Sequence, residues 1–285
     1  MAEVRHISDT AKWVAAYRAL ETERPNAVFR DPYAAQLAGE TGRRLAREMP
    51  GGNGNAWWMV ARTKVLDDLV ERLAREGRID RVVNLAAGFD TRPYRLDLPS
   101  ALQWIEVDLP PVLEEKAALL ADVQPRCQLE RVPCNLADRE RRRGVLASAG
   151  ESGRGLVLTE GLLIYLEAGQ VVELAQDLAA VPAFEQWAMD LVNDRMLRVL
   201  RRQWGKDLVA GDSEMKFGPE NREKFFEPFG WRDLWTVSLL AEAVRLGRPP
   251  LFGRLINVAL KLPVPAYPRE GRPWGGIVLL GRAGA

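Results

Sequence analysis

Apolar positions along the chain follow two different periods. Over the first 76 residues they recur every three to four positions, which predicts helices at 11–20 and 56–76. In the second, Val60, Val65, Leu66, Leu69, Val70 and Leu73 mark one helical face. Asp31-Pro32 predicts a further helix start, with Asp as N-cap and Pro at the first helical position. The run Pro50-Gly-Gly-Asn-Gly-Asn55 predicts a loop, because these residues favour turns. From Arg81 the pattern changes to short β-branched apolar runs at 81–87, 104–109, 129–136, 155–159 and 188–192, with helical stretches at 112–120 and 168–180 among them. Such alternation predicts βαβ crossovers and a parallel sheet covered on both faces. Two closing strands are expected at 231–240 and 276–281. Residues 193–229 break the alternation: they are charged and helical in pattern, with Met215, Phe217, Phe225, Phe226 and Phe229 interleaved. An insertion after a central strand sits where α/β sheets bind ligands, so this segment is expected to form a substrate cap.

Composition narrows the chemistry. The chain has 285 residues, 47% hydrophobic, enough for a sizeable core in one large or two small domains. Forty Lys and Arg against 39 Asp and Glu leave a formal charge of +1, without the basic excess of a nucleic-acid binder. His6 is the one histidine, so no His-based metal site is expected and, His6 aside, no imidazole base. Cys127 and Cys134 form neither a disulfide framework nor a zinc motif, and reduced thiols in the cytoplasm are expected. No signal-peptide pattern opens the chain and no apolar run approaches the ~20 residues of a membrane helix.

The first strand–helix turn carries the chemistry. After the run from Val82 come Ala86, Ala87, Gly88, Phe89, Asp90, Thr91 and Arg92. A glycine just past a buried strand lets a ligand approach the backbone. The turn is not GxGxxG: Ala86 holds the first glycine position, and Asp90 would repel a pyrophosphate. That disfavours a nicotinamide oxidoreductase, the competing reading for such a sheet. Asp108 closes the second strand, where a carboxylate can accept both hydroxyls of a ribose; its alternative role is to cap the helix beginning near Pro110. An adenosine site without a phosphate cradle points to S-adenosylmethionine as cofactor.

These residues belong to a larger ordered set: Thr10-Ala11, Arg18-Ala19 and Glu21; Asp31-Pro-Tyr-Ala34; Ala61-Arg-Thr-Lys-Val-Leu-Asp67; Asn84-Leu-Ala-Ala-Gly-Phe-Asp-Thr-Arg92 with Tyr94-Arg-Leu96; Glu106-Val-Asp-Leu-Pro110 with Lys116; Asn135-Leu136; and Glu160-Gly-Leu-Leu-Ile-Tyr-Leu166. In this order they resemble the leucine carboxyl methyltransferase family, in particular its bacterial S-adenosylmethionine-dependent O-methyltransferase branch. The resemblance spans more than half of the chain and is looser in the C-terminal third. It implies a class I (Rossmann-like) methyltransferase fold: a seven-stranded, mostly parallel sheet with N-terminal helices and a helical cap insertion. The expected plan is a helical lid at 1–76, the cofactor-binding α/β core at 77–192, the cap at 193–229 and the end of the core at 230–285.

Carried over position by position, the resemblance gives Arg62 the cofactor's carboxylate, where a guanidinium grips two oxygens at once. It sets Gly88 against the methionine portion, Asp108 at the ribose diol, and Asn135 and Leu136 around the adenine, and counts Ala86 and Leu109 among the cofactor-binding residues. Glu160 would lie beneath the methionine amino group and near the sulfonium, and Tyr165 would border the transfer site. Two departures stand out: Ala86 where many methyltransferases have Gly, and Asn135 where the family often has Asp. Asn can still accept from the adenine amino group and donate to a ring nitrogen.

The remaining polar residues are given plainer roles. Asp90 and Arg92 are expected to pair and fix the turn, and 139–143 to form a solvated helix face. Lys12 and Arg18 are placed on a helix that closes over the cofactor, while Trp57 and Trp58 either line the pocket or anchor their helix. Methyl transfer from a sulfonium asks mainly for alignment, since the donor is already activated. A chain poor in imidazole therefore suits a carboxylate or acidic hydroxyl on a small-molecule acceptor. The Phe residues of 193–229 suggest that this acceptor is apolar or aromatic. A protein that keeps the pocket but has lost turnover is the alternative.

Overall fold

The computed structural model describes residues 7–151, 153–209, 214–250 and 274–283. Three helices come first: α1 (Ile7–Thr22), α2 (Ala34–Glu48) and α3 (Ala56–Arg75). The sheet-forming part then runs β1 (Arg81–Leu85), α4 (Arg92–Arg95), β2 (Gln103–Asp108), α5 (Pro110–Leu119), β3 (Gln128–Pro133), α6 (Arg139–Ala149), β4 (Gly155–Thr159), α7 (Ala168–Ala179) and β5 (Phe184–Val192). It closes with α8 (Asp194–Val209), β6 (Trp231–Ser238), α9 (Leu239–Arg245) and β7 (Gly275–Arg282).

The seven strands form one sheet in the order β3-β2-β1-β4-β5-β7-β6. The first five pair in parallel, while β7 lies antiparallel between β5 and β6. Side chains alternate across it as strand geometry requires. Val83, Leu85, Ile105, Val107 and Val157 meet α6 and α7 on one face. Val82, Trp104, Leu156 and Leu158 meet α3 and α9 on the other. A third apolar cluster joins α1, α2 and α8 to Phe89 and Tyr94, beyond the C-terminal ends of β1 and β2. Trp13 of α1 and Trp204 of α8 meet edge to face at 5.4 Å there. The chain reverses its winding between β1 and β4, the place where open α/β sheets leave a crevice.

Several expectations are corrected in detail. α2 begins at Ala34 with Tyr33 as its cap residue, not at Asp31-Pro32. Asp31 Oδ1 accepts from the Tyr33 amide, forming a turn before the helix, and Oδ2 is held by Arg18 and Thr91. Residues Gly52–Asn55 form a 3₁₀ turn where a loop was expected. β3 stops at Pro133, three residues before the expected end, with a last ladder bond from the Cys134 amide to the Asp108 carbonyl. The 139–143 stretch is not uniformly solvated: Arg142 is buried and bonds Asp177 of α7 through Nε (3.1 Å) and Nη2 (2.6 Å). Its Nη1 also donates to the Leu136 carbonyl. Within 193–229, the described residues after α8 are an irregular stretch from 214 and a 3₁₀ segment, Arg222–Phe229. Among the described residues no helix is long and apolar enough to cross a membrane.

Candidate functional site

At the switch between β1 and β4 lies a cavity of about 330 Å³, within the range of small-molecule sites. All nine positions singled out for the site border it: Arg62, Ala86, Gly88, Asp108, Leu109, Asn135, Leu136, Glu160 and Tyr165. They come from α3, from the C-terminal ends of four parallel strands, and from the turns that follow. Thr10, Ala11, Trp13, Val14 and Arg18 of α1 form the opposite wall, with Met59 of α3.

The β1–α4 turn fixes the backbone floor. Ala86 and Ala87 amides reach the Val107 carbonyl, at 2.8 and 3.3 Å. Ala86 has φ +56° and Gly88 φ +49°. The left-handed region suits glycine and costs a residue bearing Cβ about 1–2 kcal/mol. Ala86 is therefore a strained side chain where glycine would sit freely. Ala86→Gly is expected to raise the free energy of unfolding by up to about 1 kcal/mol, after the added chain entropy of glycine is set against the relief. Denaturant titration reads this directly; a loss of stability would contradict the strain.

Asp108 is held from two sides: its Oδ2 accepts from the Gly88 amide and its Oδ1 from the Leu109 amide, both at 2.7 Å. It does not cap α5, whose cap residue Leu109 shows no side-chain bond. Burial pushes the Asp108 carboxyl up, and the two amides oppose that shift. Each oxygen keeps a further lone pair. Asn135 is exposed, and its Oδ1 accepts from the Ala137 amide at 3.0 Å. Cys134, which also borders the cavity, is a buried free thiol.

At the other side of the cavity lies a dense ionic cluster. Arg62 is buried, with Nε 2.9 Å from Glu160 Oε1 and Nη1 3.0 Å from Asp190 Oδ2. Asp190 Oδ1 also accepts from the Gly161 amide. Arg92 donates to Glu160 and Asp67 at 2.8 Å and to Asp90 at 3.0 Å, so the expected Asp90–Arg92 pair is present. Arg95 holds Asp67 through two more bonds of 2.7 Å. Arg18 bonds Asp31 (2.8 Å) and the Phe89 carbonyl (2.6 Å), which ties α1 directly to the glycine turn. Lys12 pairs instead with Glu115 of α5.

Burial opposes ionisation of Asp90, but Arg92 and then Lys116 outweigh it and hold the carboxyl at about 2. Glu160 is likewise lowered against burial by Arg92 and Arg62, and Asp31 by Arg18 and Arg95. Groups held down in this way add stability above their unfolded value of about 4, and that stability is lost as pH falls towards 2. For Asp90 the amount is on the order of 2–3 kcal/mol. Glu106 and Asp108, raised by burial, act in the opposite sense. Unfolding free energy should therefore fall between about pH 4 and 2, with a shallower slope in Asp90→Asn. Equal slopes in the two proteins would contradict the assignment.

Tyr165 borders the cavity half-buried, and burial pushes its phenol up to about 12. It is a neutral hydroxyl at physiological pH. Trp57 and Trp58 do not reach the cavity; they meet each other edge to face and anchor α3 against the sheet. Phe217 and Phe226 are buried with Trp187 and Trp231 in the core, and no described residue of 193–229 borders the cavity. His6 lies outside the described residues.

Asp190 and Asp67 were not singled out from the sequence. The signal was there: each is an acid within an apolar run, in β5 and on the apolar face of α3, where burial demands a cationic partner.

Known proteins resemble this chain at several levels. A family model described as leucine carboxyl methyltransferase matches residues 11–179. A protein of Frankia alni named as a candidate S-adenosyl-L-methionine-dependent methyltransferase is 35% identical over 258 residues, covering 85% of this chain and 88% of that protein. One of the same description from Streptomyces avermitilis is 33% identical over 257 residues, covering 84% and 88%. Among solved structures, a candidate methyltransferase of Thermobifida fusca superposes with a TM-score of 0.59 at 18% identity, covering 98% of this chain and 95% of that one. That likeness is one of fold.

Proposed function

This chain belongs to the leucine carboxyl methyltransferase family and has S-adenosylmethionine as its cofactor, and on that premise we propose that it methylates an oxygen of a small-molecule acceptor, either a carboxylate or an acidic hydroxyl. When bound, the cofactor supplies a methyl group already activated on a sulfonium sulfur.

The donor set of the cavity fits that cofactor. A carboxylate anchored by two amides at the end of β2 suits a ribose diol, so Asp108 is assigned to it. Ala86 and Gly88 give the methionine portion a close backbone floor. Gly88 takes its left-handed φ of +49° without the strain a Cβ would bring, and a Cβ there would meet Ala11 at ordinary contact distance. Leu109, Asn135 and Leu136 flank the adenine end. Arg62, the guanidinium beside Gly161, takes the cofactor's carboxylate. Glu160 lies at the methionine end, ionised and held in place by two arginines.

The observation that carries the oxygen reading is that neither Glu160 nor Tyr165, the two residues assigned to the transfer end, is a ready base. Glu160 is a lowered, doubly paired carboxylate, and Tyr165 keeps its proton until about pH 12. An acceptor that is itself an anion, or readily becomes one, needs no proton removed by the protein. The chain's own work is then alignment and exclusion of water. Arg18 and Asp31 hold α1 over the turn, while Trp13, Val14, Met59 and Leu162 present an apolar wall. Tyr165 borders that side and orients the acceptor through its hydroxyl.

The test is methyl transfer from labelled S-adenosylmethionine to matched panels of carboxylic acids, phenols and aliphatic alcohols. Labelled esters or aryl ethers are expected. Efficient methylation of an aliphatic alcohol that persists in His6→Ala would overturn the reading. Binding of the demethylated product with no transfer to any panel would favour a protein that has lost turnover.

A further inference from the structure

Asp190 of β5 is largely buried and does not border the cavity, yet it holds two residues that do. Register sets it there: Met189 pairs with Thr159 of β4, so Asp190 follows at the level of Glu160. Its Oδ1 accepts from the Gly161 amide at 2.6 Å, and its Oδ2 lies 3.0 Å from Arg62 Nη1. Arg62 Nε in turn lies 2.9 Å from Glu160 Oε1. Glu160 and Gly161 are adjacent in the chain, so a ring closes. It runs from the Gly161 amide through Asp190, Arg62 and Glu160 and returns along the backbone.

The amide and the guanidinium both donate, and a carboxylate offers each a separate oxygen. An Asn of the same shape has one acceptor oxygen and would turn its NH2 towards one of the two donors. What the ring fixes is the plane of the guanidinium, anchored through Nε on one acid and through Nη1 on another. On its long side chain that group otherwise keeps rotamer freedom, which a ligand would have to freeze on binding. Neither ion pair uses Nη2. Gly161 completes the seat. It has φ +67°, and a Cβ there would lie 3.3 Å from Arg62 Nη1 and 4.0 Å from Nη2, so the bare turn lets the guanidinium lie against it.

We propose that Asp190 is a positioning residue for the amino-acid end of the cofactor: by holding Arg62 and the Gly161 turn at once, it presets the guanidinium that takes the cofactor's carboxylate. The proposal rests on the assignment of Arg62 to that carboxylate. It gives Asp190 a role distinct from that of Glu160, which borders the cavity and has Arg92 as a second partner. Asp190 touches no ligand, and its effect on binding passes through Arg62 and Gly161. That effect is therefore confined to ligands that carry the amino-acid end.

The test is calorimetric binding of S-adenosylhomocysteine and of 5′-methylthioadenosine to wild-type, Asp190→Asn and Gly161→Ala proteins, with the unfolding temperature of each ligand-free form. The second ligand keeps the adenosine and lacks the carboxylate and ammonium. Wild-type protein should prefer S-adenosylhomocysteine by at least about tenfold, since hydrogen bonds to charged groups are among the stronger ones. In Asp190→Asn most of that preference should be lost, while affinity for 5′-methylthioadenosine stays within about twofold of wild type. Gly161→Ala crowds the guanidinium from the other side and should give the same signature. Damage to the fold lowers affinity for both ligands alike, so the unaffected ligand separates positioning from stability. Where Asp190→Asn yields no folded protein, Gly161→Ala, which keeps every charge, carries the test. A wild-type preference retained in a folded Asp190→Asn protein would overturn the proposal, and so would parallel losses for the two ligands in both variants. Equal affinity of the wild type for both ligands, or binding of neither, would instead remove the assignment of Arg62 and the proposal with it.

Discussion

Arg62→Ala is expected to abolish measurable binding of S-adenosylmethionine and to lower the stability of the ligand-free protein by about 3–5 kcal/mol. Both effects have one origin. The guanidinium is buried between Glu160 and Asp190, and its loss leaves these carboxylates near each other without the charge that separates them. Glu160 keeps Arg92, and Asp190 keeps the Gly161 amide, so the lower end of that range is expected. The ligand loses the bidentate partner assigned to its carboxylate. Arg62→Lys should restore part of the stability but little of the affinity, because an ammonium cannot span two carboxylates and a ligand with the same geometry. Calorimetric titration and denaturant unfolding separate the two effects. Wild-type affinity in Arg62→Ala would remove Arg62 from the cofactor site, and unchanged stability would contradict its bracing role.

Arg92→Met should be the more damaging change to the fold. Arg92 is 2% exposed and touches Asp67, Asp90 and Glu160, which belong to α3, the glycine turn and the end of β4. Methionine fills much of the same volume, so the loss is one of charge more than of packing. Two buried carboxylates and the half-buried Glu160 would lose a shared partner, although Arg95 still serves Asp67 and Arg62 still serves Glu160. A cost near 5 kcal/mol is expected, a large share of the roughly 5–15 kcal/mol that holds a domain folded. Asp90→Asn in the Arg92→Met background should recover part of it, since the carboxyl that loses its partner is then neutral. A variant within about 1 kcal/mol of wild type would show that the cluster is not an energetic unit.

How far the sequence could be read follows from what each signal measures. Hydrophobic period located every strand to within a few residues, most firmly β1, β4, β5 and β7, where burial on both faces leaves continuous apolar runs. Glycine, acid and arginine at the ends of those runs marked a cavity that the fold then assembled from distant segments. Side-chain partners were less legible. Arg62 reads from sequence as a group facing ligand, and only the fold reveals that it also separates Glu160 from Asp190, thirty residues apart along the chain. Arg142 sits in a run of charges that looks solvated, yet one position faces α7 and closes on Asp177. The Phe residues of 193–229 illustrate the same limit: aromatic composition does not say whether a ring faces the cleft or the core, and Phe217 and Phe226 face the core.

The place of β7 bears on how the molecule is made. β6 pairs with no described strand other than β7, and β7 also closes the far side of β5. During synthesis β6 therefore leaves the ribosome with nothing to pair against, and β5 waits with one edge open. Only when residues 275–282 emerge can both be satisfied at once. Until then two hydrogen-bonding edges are available to other chains, the condition under which nascent proteins aggregate or call on chaperones. Truncation before Gly275 would remove one strand in sequence but two in space.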